Sequence, residues 1–218
     1  MLSSIDTVIC VHGFWSHGAG MYLIKRRLEN EYGMRAPLFN YPSVRGTLDE
    51  NAAALASFIS RQGCDGAHII GHSLGGVVAL RMLARHADAP PGRLVCLGSP
   101  LTGSRAAHIL GRQDWAEPIL GHSLPKGVID EPASSWAMHV CALREVGVIA
   151  GNSPIGLGQL LAHFDEENDG TVSVSETQLP GIRDHLVMSV SHYGMLLSSR
   201  VVDQAAAFLR RGAFLRDI

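Results

Sequence analysis

The stretch Ala67-His68-Ile69-Ile70-Gly71-His72-Ser73-Leu74-Gly75-Gly76-Val77-Val78-Ala79-Leu80-Arg81-Met82 decides how this chain is built. Residues 67–70 form a short apolar run, suited to a strand buried on both faces. From Val77 to His86 the pattern is helical. Between them lies Gly71-His72-Ser73-Leu74-Gly75, a G-x-S-x-G turn in strand-to-helix context. Pushing the Ser73 hydroxyl out of such a turn requires a strained backbone. Side chains two residues before and two after would collide, and both positions are glycine. Gly76 lets the following helix pack closely. The first N–H groups of that helix lack partners and face any developing negative charge. Ser73 is the candidate nucleophile, against the alternative of a glycine-rich turn that only redirects the chain. Gly121-His122-Ser123-Leu124-Pro125 repeats part of the pattern, but Pro125 replaces the second glycine, no strand precedes it and no helix follows. Ser123 is therefore set aside.

Outward from this turn, short apolar runs alternate with helical patterns. Thr7–Val11, Pro37–Tyr41, Ala67–Ile70, Arg93–Leu97, His139–Leu143 and Leu186–Val190 read as strands. Met21, Ile24 and Leu28 follow helical spacing up to Gly33. Thr47-Leu48-Asp49-Glu50 is a capping box. It leads into a helix with Leu48, Ala52, Leu55 and Ile59 on one face and Gly63 at its end. A closing helix is expected over 198–211, with Val201, Val202, Ala205, Phe208 and Leu209 on one face. Short helices are possible near Ser104–Gly111 and Pro154–His163. Strand–helix alternation with short connections implies a mostly parallel sheet with helices on both faces. Ligands bind such sheets beyond the carboxyl ends of the strands, so chemistry is sought there.

With 218 residues the chain fits one domain, 1–218. Apolar residues make up 46% and charged residues 17%, a balance foreign to disordered chains. Eighteen basic residues against 20 acidic give a net charge of −2. Nucleic acid is thus not expected as a partner. No apolar run approaches the roughly 18 residues of a membrane span, and no stable membrane association is expected. The first residues, MLSSIDTVICVHGFW, do not read as a signal peptide, and Thr7–Val11 within them reads as a strand. Cys10, Cys64, Cys96 and Cys141 are scattered, never paired as CxxC, and read as reduced thiols in a cytoplasmic protein.

A serine needs a base. Among the 11 histidines, His192 follows the last strand and lands at the same sheet edge as Ser73. The alternative for it is a histidine capping a loop. His185 lies at the other end of that strand, about 20 Å away. His72 is expected to point away from the elbow with a structural role, and His12 to serve a His-Gly turn. The base in turn needs a carboxylate to fix its tautomer. That acid is expected beyond the 139–143 strand, in the loop Asp165-Glu166-Glu167-Asn168-Asp169-Gly170-Thr171-Val172. Asp169, before a glycine and an apolar residue, is chosen, with Asp165 as the alternative. Glu166 and Glu167 read as solvated, and Asp184 lies at the wrong edge. Two oxyanion donors are expected, the backbone N–H groups of Leu74 and Phe14. Trp15, Met21 and the 100–136 segment are candidates for an acyl pocket, with ordinary core packing as the other reading.

These residues resemble the α/β-hydrolase family, and within it the small bacterial lipase- and esterase-type serine hydrolases. Val11-His12-Gly13-Phe14 is similar to the family's oxyanion turn, and Gly71–Gly76 to its nucleophile elbow. Asp169-Gly170-Thr171-Val172 is similar to its acid turn, and Ser191–Ser199 to its histidine loop. The order Ser, Asp, His is the family's order. The resemblance implies an α/β-hydrolase fold with Ser73, Asp169 and His192 as catalytic triad and Phe14 and Leu74 as oxyanion donors. Lipases of this group are usually secreted, and no leader is visible here. About 40 residues separate the 93–97 and 139–143 runs, too few for an elaborate cap. A minimal cap or none is expected, with 100–136 as a small lid or pocket wall.

The expected activity is cleavage of carboxylic esters through an acyl-enzyme, on a small acyl ester or lipid. The same three residues would serve a thioesterase or acyltransferase, and a non-catalytic binding protein of this fold is the remaining alternative. No metal or organic cofactor is expected, because the histidines lack ligand spacing such as H-E-x-x-H.

Overall fold

The computed structural model describes residues 2–105, 131–154 and 166–216. Six strands form one sheet in the order β2-β1-β3-β4-β5-β6, every pair parallel. They are β1 (Val8–Val11), β2 (Leu38–Phe39), β3 (His68–His72), β4 (Leu94–Leu97), β5 (Val146–Gly151) and β6 (Asp184–Met188). The helices are α1 (Tyr22–Tyr32), α2 (Leu48–Ser60), α3 (Leu74–Arg85), α4 (Met138–Leu143) and α5 (Ser199–Arg211). No cap domain is present among the described residues. None of their helices is long and apolar enough to cross a membrane.

The two-residue period of a strand divides each continuous apolar run between two cores. Ile9, Val11, Ile69, Leu94, Cys96, Val146 and Val148 face α2 and α3, meeting Leu55, Ile59, Val77 and Leu80. Val8, Cys10, Ile70, Val95, Leu97 and Ile149 face α1 and α5, meeting Ile24, Leu28, Val201, Ala205 and Phe208. Helix ends follow their expected chemistry. Thr47 caps α2 reciprocally with Glu50, and α1 ends on Gly33 at φ 66°. Burial pushes the Cys10 thiol up to about 12, so it sits in the core as an inert apolar group.

The fifth strand departs from expectation. His139–Leu143 lies inside α4, and β5 is Val146–Gly151. A run of five apolar residues suits either state, and periodicity cannot separate them. In the helix, Ala137 and Val140 turn inward while Met138 and Leu143 face solvent. The true strand carries Gly147, where the Phe208 ring of α5 lies so close that an added methyl would stand 2.7 Å from it. The last strand also begins earlier than expected, at Asp184. The possible helices near 104–111 and 154–163, and most of the 100–136 segment, fall outside the described residues.

Helix α5 ends on Gly212 at φ 76°, and the chain then turns back to the sheet. The Phe214 N–H donates to Asp184 Oδ2 at 2.8 Å, and Arg216 pairs with Asp184 Oδ1 at 2.6 Å. Phe214 also packs on Phe208, ring centroids 5.0 Å apart. Replacing Phe208 with alanine should cost about 3–5 kcal/mol. Urea unfolding should report this as a lower midpoint at unchanged slope.

Candidate active site

The carboxyl edge of the sheet collects the chemistry. Strand β3 runs straight into His72, and Ser73 follows with φ 54° and ψ −125°. Ser73 and Trp15 are the two non-glycine residues at positive φ among the described residues. Helix α3 begins at once with Leu74. A methyl on Gly71 would stand 2.5 Å from Gly76 N, and one on Gly75 would overlap the carbonyls of Val11 and His12. Only glycine permits this approach. The Ser73 N–H donates to the Leu97 carbonyl at 2.8 Å, tying the elbow to the end of β4. Ser73 itself is 8% exposed.

Asp169 is fully buried and its carboxylate is completely engaged. Oδ1 accepts from the N–H groups of Thr171 (2.9 Å) and Val172 (2.7 Å). Oδ2 faces His192 Nδ1 at 2.7 Å. A carboxylate oxygen accepts, so Nδ1 carries the hydrogen and Nε2 is left as the acceptor nitrogen. The His192 N–H donates to the Asp169 carbonyl at 2.8 Å, so the pair is joined through backbone and side chain. Asp169 thus lies beyond β5, against Gly151, where an added methyl would stand 2.8 Å from its Cβ. It does not follow residues 139–143, which are helical. Asp165 and Ser123 lie outside the described residues. Asp184 and His185 open β6 at the opposite edge, where His185 meets Thr177 Oγ1 at 2.8 Å.

His72 joins the two halves of the site. Its Nε2 lies 2.9 Å from the His192 carbonyl, and the two imidazoles stand 4.7 Å apart between centroids. No hydrogen bond joins Ser73 Oγ to His192 among the described residues. Contacts of this kind are often long until substrate tightens them. The turn after β1 is pinned by Tyr41, whose hydroxyl donates to the His12 carbonyl at 2.8 Å and whose ring stacks on His12. The Phe14 N–H has no protein acceptor among the described residues, and Leu74 supplies the first N–H of α3. Trp15 is 58% exposed and stacks on Phe14 at the mouth of this turn. Met21 is wholly buried beneath the sheet with Ile24 and Leu28, which places it in the core and not in a pocket. No set of three or more His, Cys, Asp or Glu is grouped to hold a metal among the described residues.

Three contributors escape sequence reasoning. Gly98 sits at φ 54°, and a methyl there would stand 2.9 Å from Asp169 Oδ2 and 3.2 Å from His192 Nδ1. Glu176 is buried and accepts from the N–H groups of Arg105 (2.6 Å) and Ser173 (2.8 Å), fastening the acid loop to the segment after β4. Glu166, expected to be solvated, pairs with Arg105 and accepts from Ser175 Oγ. Glu176 also bonds reciprocally with Ser173 three residues before it, a local S-x-x-E pattern. What ties each to the site is a partner distant in the chain: Asp169 for Gly98, and Arg105 for both Glu176 and Glu166.

The sequence matches the model of the alpha/beta hydrolase family over residues 8–154. The chain belongs to that family. No curated protein matches the sequence. Among solved structures, the mature form of a lipase from Bacillus licheniformis superposes with a TM-score of 0.75 at 16% identity, over 97% of this chain and 93% of that one. A protein from Listeria innocua superposes with a TM-score of 0.64 at 17% identity, over 97% and 95%. A carboxylesterase from Bacillus subtilis gives 0.59 at 15% identity, over 97% and 85%. At such identities the likeness is one of fold.

Gly98→Ala should disturb the Asp169–His192 bond without unfolding the sheet. Proton NMR should then lose or shift the low-field His192 Nδ1–H signal. Acid should also weaken the fold. Burial, followed by the neighbouring His192, pushes His72 down to about 3; burial, followed by Arg93, pushes His68 down to about 4, from an ordinary 6.5. The unfolded chain therefore takes up more protons as pH falls below 6.5, and stability drops between there and pH 4. The urea midpoint should be lower at pH 5 than at pH 7.5.

Proposed function

We propose that this protein hydrolyses carboxylic esters through an acyl-enzyme on Ser73. The observation that carries the proposal is the buried Asp169–His192 pair, set at the sheet edge where Ser73 is held at positive φ. In this reading His192 Nε2 takes the Ser73 proton as Oγ attacks the ester carbonyl. The resulting oxyanion accepts from the Phe14 and Leu74 N–H groups. His192 then gives its proton to the departing alkoxide. A water enters, loses a proton to His192 and attacks the acyl carbonyl, and the acid leaves as Ser73 regains its hydrogen. Asp169 Oδ2 keeps the hydrogen on Nδ1 in both the neutral ring and the imidazolium, and Oδ1, held by two amides, fixes the carboxylate that does so.

Family membership and the fold shared with a lipase and a carboxylesterase support the reaction class. In the same reading the exposed Trp15, stacked on Phe14, meets the acyl or alcohol part of a small ester. Ser73→Ala should lower kcat on p-nitrophenyl esters by about a thousandfold or more. It should also abolish labelling by a fluorophosphonate. A variant that keeps full activity would remove Ser73 from the mechanism.

A further inference from the structure

His72 lies in the elbow yet makes its one directed bond to the main chain of another loop. The acceptor is the carbonyl of His192, so His72 Nε2 carries the hydrogen. With His72 counted, the His192 residue is fixed at three points. Its N–H is held by the Asp169 carbonyl, its ring by Asp169 Oδ2, and its carbonyl by His72. The first two bonds tie it to the acid loop. Only the third refers it to the elbow, one residue from Ser73.

We propose that His72 is a positioning residue that sets the separation between Ser73 and His192 by bonding the elbow to the main chain of the base. The inference rests on the reading of those two residues as nucleophile and base. Geometry fits the role. His72 is buried, and a methyl on Gly13 would stand 3.1 Å from its Nδ1, so the ring is confined between elbow, oxyanion turn and histidine loop. The groups facing it are His192, Asp169 and His12, with the Tyr193 ring at 6.2 Å. Burial and the neighbouring His192 both oppose a charge on His72. A neutral ring keeps one hydrogen on Nε2 and leaves the imidazolium that forms during turnover to His192 alone. Displacing a reacting group by about 1 Å can cost a hundredfold in rate, so a gauge of this kind acts on kcat.

The test compares His72→Phe, which lacks the donor, with His72→Gln, whose amide nitrogen has about the reach of Nε2, and His72→Asn, whose amide stops short. On a soluble p-nitrophenyl ester, His72→Phe should lose about ten- to a hundredfold in kcat with KM within about twofold. The rate of fluorophosphonate labelling should fall in parallel, and the pH midpoint of kcat/KM should stay where it is. His72→Gln should recover most of the rate and His72→Asn should not. Equal rates for Gln and Asn would overturn the proposal, as would a moved pH midpoint with an undiminished plateau. The Gln–Asn comparison decides the matter even where His72→Phe does not fold. Failure of the underlying reading is distinguishable, because the unaltered protein would then neither turn over the ester nor take the label at Ser73.

Discussion

Gly75 lies so close to the carbonyls of Val11 and His12 that any side chain there would overlap them. That contact fixes how near the first turn of α3 can come to the end of β1. From it follow the distance between the elbow and the turn after β1, the strained φ of Ser73, and the placing of the Leu74 and Phe14 amides at one edge. Gly71 lies as close to Gly75 and Gly76 at the start of α3. The strain at Ser73 persists because β3, α3 and the bond to Leu97 over-determine it.

The second half of the site is built differently. Neither Asp169 nor His192 belongs to a strand or helix, and both are loop residues held by hydrogen bonds. Oδ1 of Asp169 is taken by two amides of its own turn, a local arrangement a short loop can make for itself. Gly98, at the end of β4, leaves room for the pair. Arg105 and Glu176 hold the acid loop from outside. The first half is thus set by steric closeness and the second by polar contacts, with His72 bonded between them.

The legible features were those whose cause is local. The division of Val8–Val11 between two cores follows from strand period alone, and the Thr47–Glu50 cap from side-chain chemistry. The elbow was legible because its glycines sit at fixed offsets from a serine, and Asp169 because a glycine turn follows it. The fifth strand was not, because His139–Leu143 is as apolar as a strand while its helix buries only one side. Gly147, which an extended reading penalises, is there to admit the Phe208 ring. Gly98, Glu176 and the bond from His72 to the His192 carbonyl depend on partners 70 to 120 residues away, and no window of sequence contains both ends.

The turn at Gly212 has a mechanical consequence. It sends residues 213–216 back to clasp Asp184, the first residue of β6. That strand is the outermost on its side and is less shielded than the inner ones. Its opposite end feeds the loop carrying His192. Tension on residues 213–216 would therefore bear directly on this edge strand of five residues, whose far end leads into the loop carrying His192.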